Sequence, residues 1–311
     1  MRSSELFTRY TGNPILESGD WPYTVNAVFN PAVTRLGSET VLLVRVEDRT
    51  GLSHLCVARS ADGVGGWRID AEHRLLPDVE SEAERFGIED ARITLCGDEH
   101  MIVYTGYSSA GPLVRLASTH DFETFEPHGT LMPPEDKDAA LFPHRFDGRW
   151  ALIHRPVATQ PTQTAHIWLS WSPDLHYWGD HTVLLPAREG AWWDAHKVGL
   201  CPPPLLTERG WLLLYHGVRV TAAGAIYRLG LALLDAEHPD RVLARSSEWI
   251  FGPDAPYERA GDVPDVVFPC GWLLQEDGDT VRLYYGAADT SICLAEASLS
   301  ALLSWLERHS S

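Results

Sequence analysis

A strand pair that recurs five times limits what this chain can fold into more than any other feature. The first members read Thr40 to Arg45, His100 to Tyr104, Arg149 to His154, Gly210 to Tyr215 and Thr280 to Tyr284. Their partners read His54 to Ser60, Leu113 to Ser118, His166 to Ser170, Tyr227 to Ala232 and Ser291 to Ala297. Alternating and β-branched apolar residues argue for strands, and clusters of Gly, Pro, Asp and Ser mark the turns between them. The copies are spaced by roughly 45–70 residues, the period expected of propeller blades. A third segment precedes each pair: Phe29 to Val33, Glu89 to Ile93, Leu141 to His144, Cys201 to Leu205 and Val267 to Cys270. The innermost strand of a blade lines the central channel, so the polar residues opening these segments face one shared funnel. Proline near a strand start is tolerated because no central ladder bond is lost there. The pattern predicts an all-β chain, a five-bladed β-propeller forming a single domain over residues 1–311. A pair of β-sandwiches does not explain a fivefold repeat. Leu299 to Arg308 carries Leu302, Leu303, Trp305 and Leu306 at helical spacing and predicts a short C-terminal helix.

Composition narrows the partners. The formal charge of -18 argues against nucleic acid and anionic membranes, which select a basic face. No apolar stretch approaches the roughly 18 residues that span a bilayer. Met1 to Leu6 has no apolar core of a secretory leader, and the five cysteines show no C-x-x-C spacing. Both observations fit a reducing cytoplasm and argue against disulfides or a zinc site. His144, His154 and His196 are too dispersed for a metal site, and no cofactor fingerprint is present. A homo-oligomer is compatible with all of this. Of 25 basic residues only two are lysines, Lys137 and Lys197. A general preference for arginine explains the shortage. A compact ammonium selected where a planar guanidinium cannot substitute explains the two that remain.

Six runs carry a family resemblance: Ile88-Glu-Asp-Ala-Arg92, Lys137-Asp-Ala-Ala-Leu-Phe-Pro143, His154-Arg-Pro156, Lys197-Val-Gly199, Tyr215-His-Gly217 and Tyr284-Tyr-Gly-Ala-Ala-Asp289. In this order they resemble the motifs of glycoside hydrolase family 130, from about Asn13-Pro14 to Asp289. The resemblance implies a five-bladed propeller acting on β-mannosides. Most such proteins are inverting phosphorylases that release α-mannose 1-phosphate, with inorganic phosphate as co-substrate and no cofactor; a minority hydrolyse. It maps the proton donor onto Asp90, with the proton passing through a sugar hydroxyl to the leaving oxygen.

Read without the resemblance, Asp90 is either a surface carboxylate paired with Arg92 or a carboxyl whose pKa is raised by Glu89 and partial burial. Phosphate in so acidic a chain needs converging donors, and the candidates are Lys137, Arg155, Lys197 and His216. Lys137 and Lys197 are expected just before the inner strands of blades 3 and 4. Asn30, Arg45, Asp48, Arg49, Glu89, Tyr227 and Asp289 are candidate contacts to the sugar, Arg45 and Arg49 alternatively to phosphate. Trp21, Tyr23, Phe29, Tyr107, Trp192 and Trp193 offer apolar faces for a pyranose, or pack blades together.

Three departures bear on the chemistry. Leu200 and Cys201 replace the smaller Ala and Gly usual in the family and are expected to crowd Lys197. Asp265 stands where Asn is more usual. Lys137-Asp138 replaces the Arg-Asn of the branch acting on β-1,4 mannosides, which points to β-1,2-linked mannobiose or oligomannosides. An inverting hydrolase on the same fold would need a base carboxylate, with Asp289 and Asp265 as candidates. A non-catalytic mannose-binding propeller is the remaining alternative.

Overall fold

The computed structural model describes residues 5–157, 164–222 and 224–310 of the 311. Met1 to Ser4, most of the segment read for a leader, lie outside that set. The strands form five sheets, each built from neighbouring antiparallel strands in chain order, and the molecule is a five-bladed β-propeller. Blade 1 runs Ala27–Leu36, Glu39–Glu47, Ser53–Ser60, Arg68–Leu75. Blade 2 runs Ile88–Cys96, Glu99–Ser108, Gly111–Thr119, Glu126–Met132. Blade 3 runs Asp136–Leu141, Trp150–Pro156, Ile167–Ser172, Gly179–Leu185. Blade 4 runs Lys197–Leu200, Gly210–Thr221, Gly224–Leu234, Val242–Arg245, with Leu205–Thr207 pairing beside the second strand.

Blade 5 closes the ring. Its strands Val267–Leu274, Thr280–Ala287 and Ser291–Ser298 take the N-terminal strand Thr8–Arg9 as their outermost member. The helix Leu299–Arg308 has the predicted bounds and is capped by the Ser298 hydroxyl, which accepts from the Ala301 N–H. Among the described residues no helix is long and apolar enough to cross a membrane.

Two inner strands begin earlier than the sequence pattern suggests. In blade 3 the strand is Asp136–Leu141 rather than Leu141 to His144, and in blade 4 it is Lys197–Leu200 rather than Cys201 to Leu205. Pro143 and the run Pro202 to Pro204 have no N–H to donate, so the ladders end before them. In blade 1, by contrast, Pro31 sits inside a β-bulge, where a missing donor costs no ladder bond. Lys137 and Lys197 are therefore members of the inner strands, not residues ahead of them.

The core lies between blades. Phe142, Val198, Trp211 and Tyr215 fill the seam of blades 3 and 4, all fully buried. Each such side chain contributes about 1.5–3 kcal/mol by leaving water. Tyr104, His154, Tyr215 and Tyr285 occupy matching places on four second strands. Each reaches a buried carboxylate on the chain leading into, or opening, an inner strand: Glu84, Asp136, Asp194 and Glu258 respectively. Each entry segment is thus tied to its own blade.

Candidate active site

In blades 1, 2 and 3 the inner strand carries a bulge at the same place, and the residue there has positive φ: Asn30 at 47°, Asp90 at 47° and Asp138 at 53°. Asn and Asp tolerate this left-handed conformation better than other side chains. The second strands of blades 3 and 4 add the residue following the clamp position: Arg155 after His154 and His216 after Tyr215. Arg45 takes that place in blade 1. All six line one cavity of about 160 Å³ with Lys137, Lys197, Tyr227, Asp289, Phe268, Val263 and Val266. A larger hollow of about 420 Å³ lies where the C-terminal helix meets Leu206 and Leu274, but no comparable cluster of titratable groups converges there.

Nine residues expected at the site from sequence meet in this cavity: Asn30, Arg45, Asp90, Lys137, Arg155, Lys197, His216, Tyr227 and Asp289. Three do not line it. Asp48 spends its carboxylate on its own hairpin, accepting from the Thr50 N–H at 2.7 Å, the Thr50 hydroxyl at 2.7 Å and the Leu52 N–H at 3.0 Å. Arg49 is exposed in the same hairpin. Glu89 lies behind the wall, accepting from Arg45 Nη2 at 3.1 Å. Of the aromatic residues, Phe29 packs beneath the Arg45 guanidinium at 4.5 Å, and Trp193 stacks on Tyr215. Neither offers a sugar-facing ring in the cavity.

Asp90 is held by three neighbours. Asn30 Nδ2 donates to its Oδ1 at 3.0 Å, Arg45 Nη1 approaches the same oxygen at 3.3 Å, and Arg92 Nη1 donates to its backbone carbonyl at 2.8 Å. Burial pushes the carboxyl up, but Arg45, Arg92, Lys137 and the Asn30 hydrogen bond together hold it below the usual carboxylate range. This reverses the expectation of a raised pKa: the cations outweigh Glu89, whose charge is itself paired with Arg45. Arg92 is also not the surface partner anticipated. Fully buried, it donates to the carbonyls of Cys201 and Leu200 across the channel at 3.0 and 3.1 Å. Leu200 and Cys201 therefore back Arg92 and His216, and neither lines the cavity beside Lys197.

Asp138 was marked in the sequence only as a branch difference, yet it organises the cation side. Its Oδ2 accepts from Arg155 Nε at 2.7 Å and lies 3.6 Å from His216 Nε2, while its Oδ1 lies 3.5 Å from Arg92 Nη2. A Cβ at Gly199 would collide with both His216 and Asp138, so glycine is what lets them approach. The signal was available: Asn30-Pro-Ala, Asp90-Ala-Arg and Asp138-Ala-Ala share the bulge pattern. Burial, reinforced by Arg155 and Lys197 against the opposing pull of Asp138, lowers the His216 pKa to about 3. It is a neutral imidazole with one N–H to donate.

The side chains of Lys137 and Lys197 have no hydrogen-bond or ion-pair partner among the described residues, and the Arg155 guanidinium commits only its Nε, to Asp138. Burial lowers the Lys197 pKa, and the nearby Arg155 adds to the effect. Half-buried ammonium groups whose donors are unused are an incomplete arrangement that an anion completes. No group of three or more metal-ligating side chains occurs among the described residues.

Asp289 is the carboxyl of the cavity whose pKa is raised. Burial, then repulsion from Asp90, pushes it up to about 7 against the pull of Arg45. Asp90 and Asp289 thus titrate as a pair. The ordinary value is 3.8, so the stability Asp289 contributes is fully present below that pH and is lost as pH rises through about 7. Asp289→Asn, which mimics the protonated form, is expected to raise Tm at pH 8 and to change it little near pH 4. Equal shifts in calorimetry at both pH values would contradict this assignment.

The comparisons agree with the geometry. A family model for glycoside hydrolase family 130, described as β-1,4-mannooligosaccharide phosphorylase, matches residues 5–308. A β-1,2-mannobiose phosphorylase of Listeria innocua is 40% identical over 83% of this chain and 70% of its own length. A β-1,4-mannooligosaccharide phosphorylase of Ruminococcus albus is 31% identical over 99% of this chain and 92% of its own. The solved structure of the Listeria innocua β-1,2-mannobiose phosphorylase in complex with β-1,2-mannobiose superposes with a TM-score of 0.88. It is 34% identical over 97% of this chain and 99% of that one. With a family model matched over residues 5–308, the same propeller and relatives above 30% identity along most of its length, the chain belongs to glycoside hydrolase family 130.

Proposed function

We propose that this protein catalyses the reversible, inverting phosphorolysis of β-mannosides, releasing α-mannose 1-phosphate and a shortened sugar. The observation that carries this reading is the pair of lysines without a side-chain partner among the described residues, Lys137 and Lys197, with the Asp138-paired Arg155 guanidinium and the neutral His216 in the Asp90 cavity. Inorganic phosphate is the co-substrate that fits them. In the step, a phosphate oxygen bonds to C1 from the face opposite the leaving group, the C1–O glycosidic bond breaks, and the departing oxygen takes the proton supplied by Asp90. A hydroxyl of the bound sugar relays that proton.

Because the cations favour the ionised form of Asp90, phosphate has a second effect. A dianion among Lys137, Arg155 and Lys197 offsets the field that depresses the Asp90 pKa, so the acid form gains as the nucleophile arrives. A hydrolase would need an ionised carboxylate to activate water across the sugar. Asp289 lines the cavity with its pKa pushed up to about 7, so it is only partly ionised near neutrality, and Asp265 lies in a separate hollow with Arg228 and Arg259. The bulge pair Lys137-Asp138 and the named activities of the relatives favour β-1,2-linked mannobiose or oligomannosides as substrates. A reducing cytoplasm, with no nucleic acid, no membrane and no cofactor involved, remains part of this proposal.

Incubation with mannobioses of each linkage, with and without phosphate, tests it. Mannose 1-phosphate is expected only with phosphate, and free mannose released at equal rates without phosphate would exclude the reading. Lys197→Ala is expected to raise KM for phosphate about ten- to over a hundredfold, the worth of one hydrogen bond to a charged group. KM for the mannoside should change far less. Normal phosphate kinetics in that variant would remove Lys197 from the phosphate site.

A further inference from the structure

Trp192 and Trp193 are conspicuous in the sequence, but neither lines the catalytic cavity. They instead form a second hollow of about 460 Å³ with Trp249, Arg219, Ser247 and Glu248 on the flank of blade 4. Its floor is built rather than incidental. Trp193 donates from Nε1 to the Ser247 carbonyl at 3.2 Å, and its ring lies against Gly217 and Gly230, where any Cβ would collide with it. Two glycines on adjacent strands therefore make room for one indole. Trp192 remains 42% exposed with the Arg188 guanidinium 4.4 Å from its ring centre. Trp249 carries Arg228 at 4.8 Å in the same way. A cation over one face of each ring fixes its rotamer and leaves the rest of the indole to line the hollow. Arg219 and Glu248, both exposed, have no side-chain partner among the described residues.

We propose that this hollow is a second carbohydrate site, distinct from the catalytic cavity, that binds β-linked manno-oligosaccharide. The identity of the sugar rests on the β-mannoside reading above. A β-mannopyranosyl ring presents the axial C–H bonds of C1, C3 and C5 on one face, an apolar patch suited to an indole. Its rim of hydroxyls suits a guanidinium and a carboxylate, which offer paired donors and paired acceptors. Platforms already locked in place cost little ordering entropy on binding. The hollow is also continuous with the catalytic wall through the chain itself. Gly217, under Trp193, directly follows His216, and Lys197 comes four residues after Trp193.

Calorimetric titration with β-1,2-mannotetraose in phosphate-free buffer, where no turnover occurs, tests the site on the full chain. The wild type is expected to show binding beyond the catalytic cavity, persisting when β-1,2-mannobiose saturates that cavity. Trp192→Ala and Trp249→Ala should each weaken this second binding about tenfold, and Trp192→Phe should retain most of it. Phosphorolysis of mannobiose should stay within about twofold of wild type in all three variants. Undiminished binding in both alanine variants overturns the proposal. So does a change in sedimentation showing that the substitutions break a contact between copies. If no β-mannoside is turned over with phosphate, the catalytic reading falls. The hollow is then judged separately by the Trp192→Ala titration.

Discussion

Asp90→Asn is expected to lower kcat for phosphorolysis by about 10²–10⁴, the usual worth of general acid catalysis. The change is isosteric, and Arg45 keeps its contact with Glu89 at 3.1 Å, so the site loses a proton and a charge but not its shape. Phosphate binding should survive, because its donors sit on blades 3 and 4 and none depends on Asp90 for a hydrogen bond. The split between lost turnover and retained phosphate affinity separates a proton donor from a residue that merely holds the cavity together. Synthesis from mannose 1-phosphate should fall by the same factor, since the same group must then accept the proton. A variant that keeps more than about a tenth of wild-type activity, a loss under ~1.4 kcal/mol, would remove Asp90 from this role.

The depressed pKa of Asp90 shows where sequence reading stops. Glu89 is its neighbour in the chain, so raising by a like charge looked natural. Arg45, the largest of the lowering influences, and Lys137 come from other blades, and only folding brings them near; Arg92, two residues along the same strand, acts with them. The propeller itself was legible because strand alternation and turn residues are local signals repeated five times. The two lysines were legible as an anomaly of composition, and both proved to line the cavity. Asp138 reads in the sequence only as a branch difference and Arg92 only as a surface partner of Asp90, since their importance lies in contacts made across the channel. Asp48 illustrates the opposite case: a polar residue at the mouth of a strand serves the turn as readily as the site. The inner strands of blades 3 and 4 were displaced in the reading because prolines mark two different places, a bulge in blade 1 and a strand end in blade 3.

Glu258→Ala is expected to destabilise the fold by about 3–5 kcal/mol, the cost of breaking a buried ion pair from one side. Glu258 is fully buried and holds the outermost strand of blade 5 through Arg9. Its Oε1 accepts from Arg9 Nε at 2.8 Å and from the Tyr285 hydroxyl at 2.8 Å. Its Oε2 accepts from Arg9 Nη2 at 2.9 Å and from the Asp254 and Ala255 N–H groups at 2.7 and 2.9 Å. The alanine variant leaves Arg9 Nε, the Tyr285 hydroxyl and the Asp254 and Ala255 N–H groups without this acceptor, while Arg9 keeps Glu5 and the Gly252 carbonyl. Glu84 in blade 2 is a natural control. It is also buried, and accepts from the Tyr104 hydroxyl at 2.7 Å, Arg115 Nε at 3.0 Å and the Asp78 N–H at 2.8 Å. The chemistry matches, but the topology differs. Arg115 lies in a long hairpin paired along nine positions, whereas Arg9 lies in a strand paired at only two, Thr8 with Glu296 and Arg9 with Ala295. Losing Glu84 should loosen one entry segment, while losing Glu258 releases the strand that joins the two ends of the ring. Denaturant unfolding should therefore show a clearly larger loss for Glu258→Ala than for Glu84→Ala. Equal losses would mean that the buried acid matters only as a local clamp, and that two ladder pairs suffice to hold the ring closed.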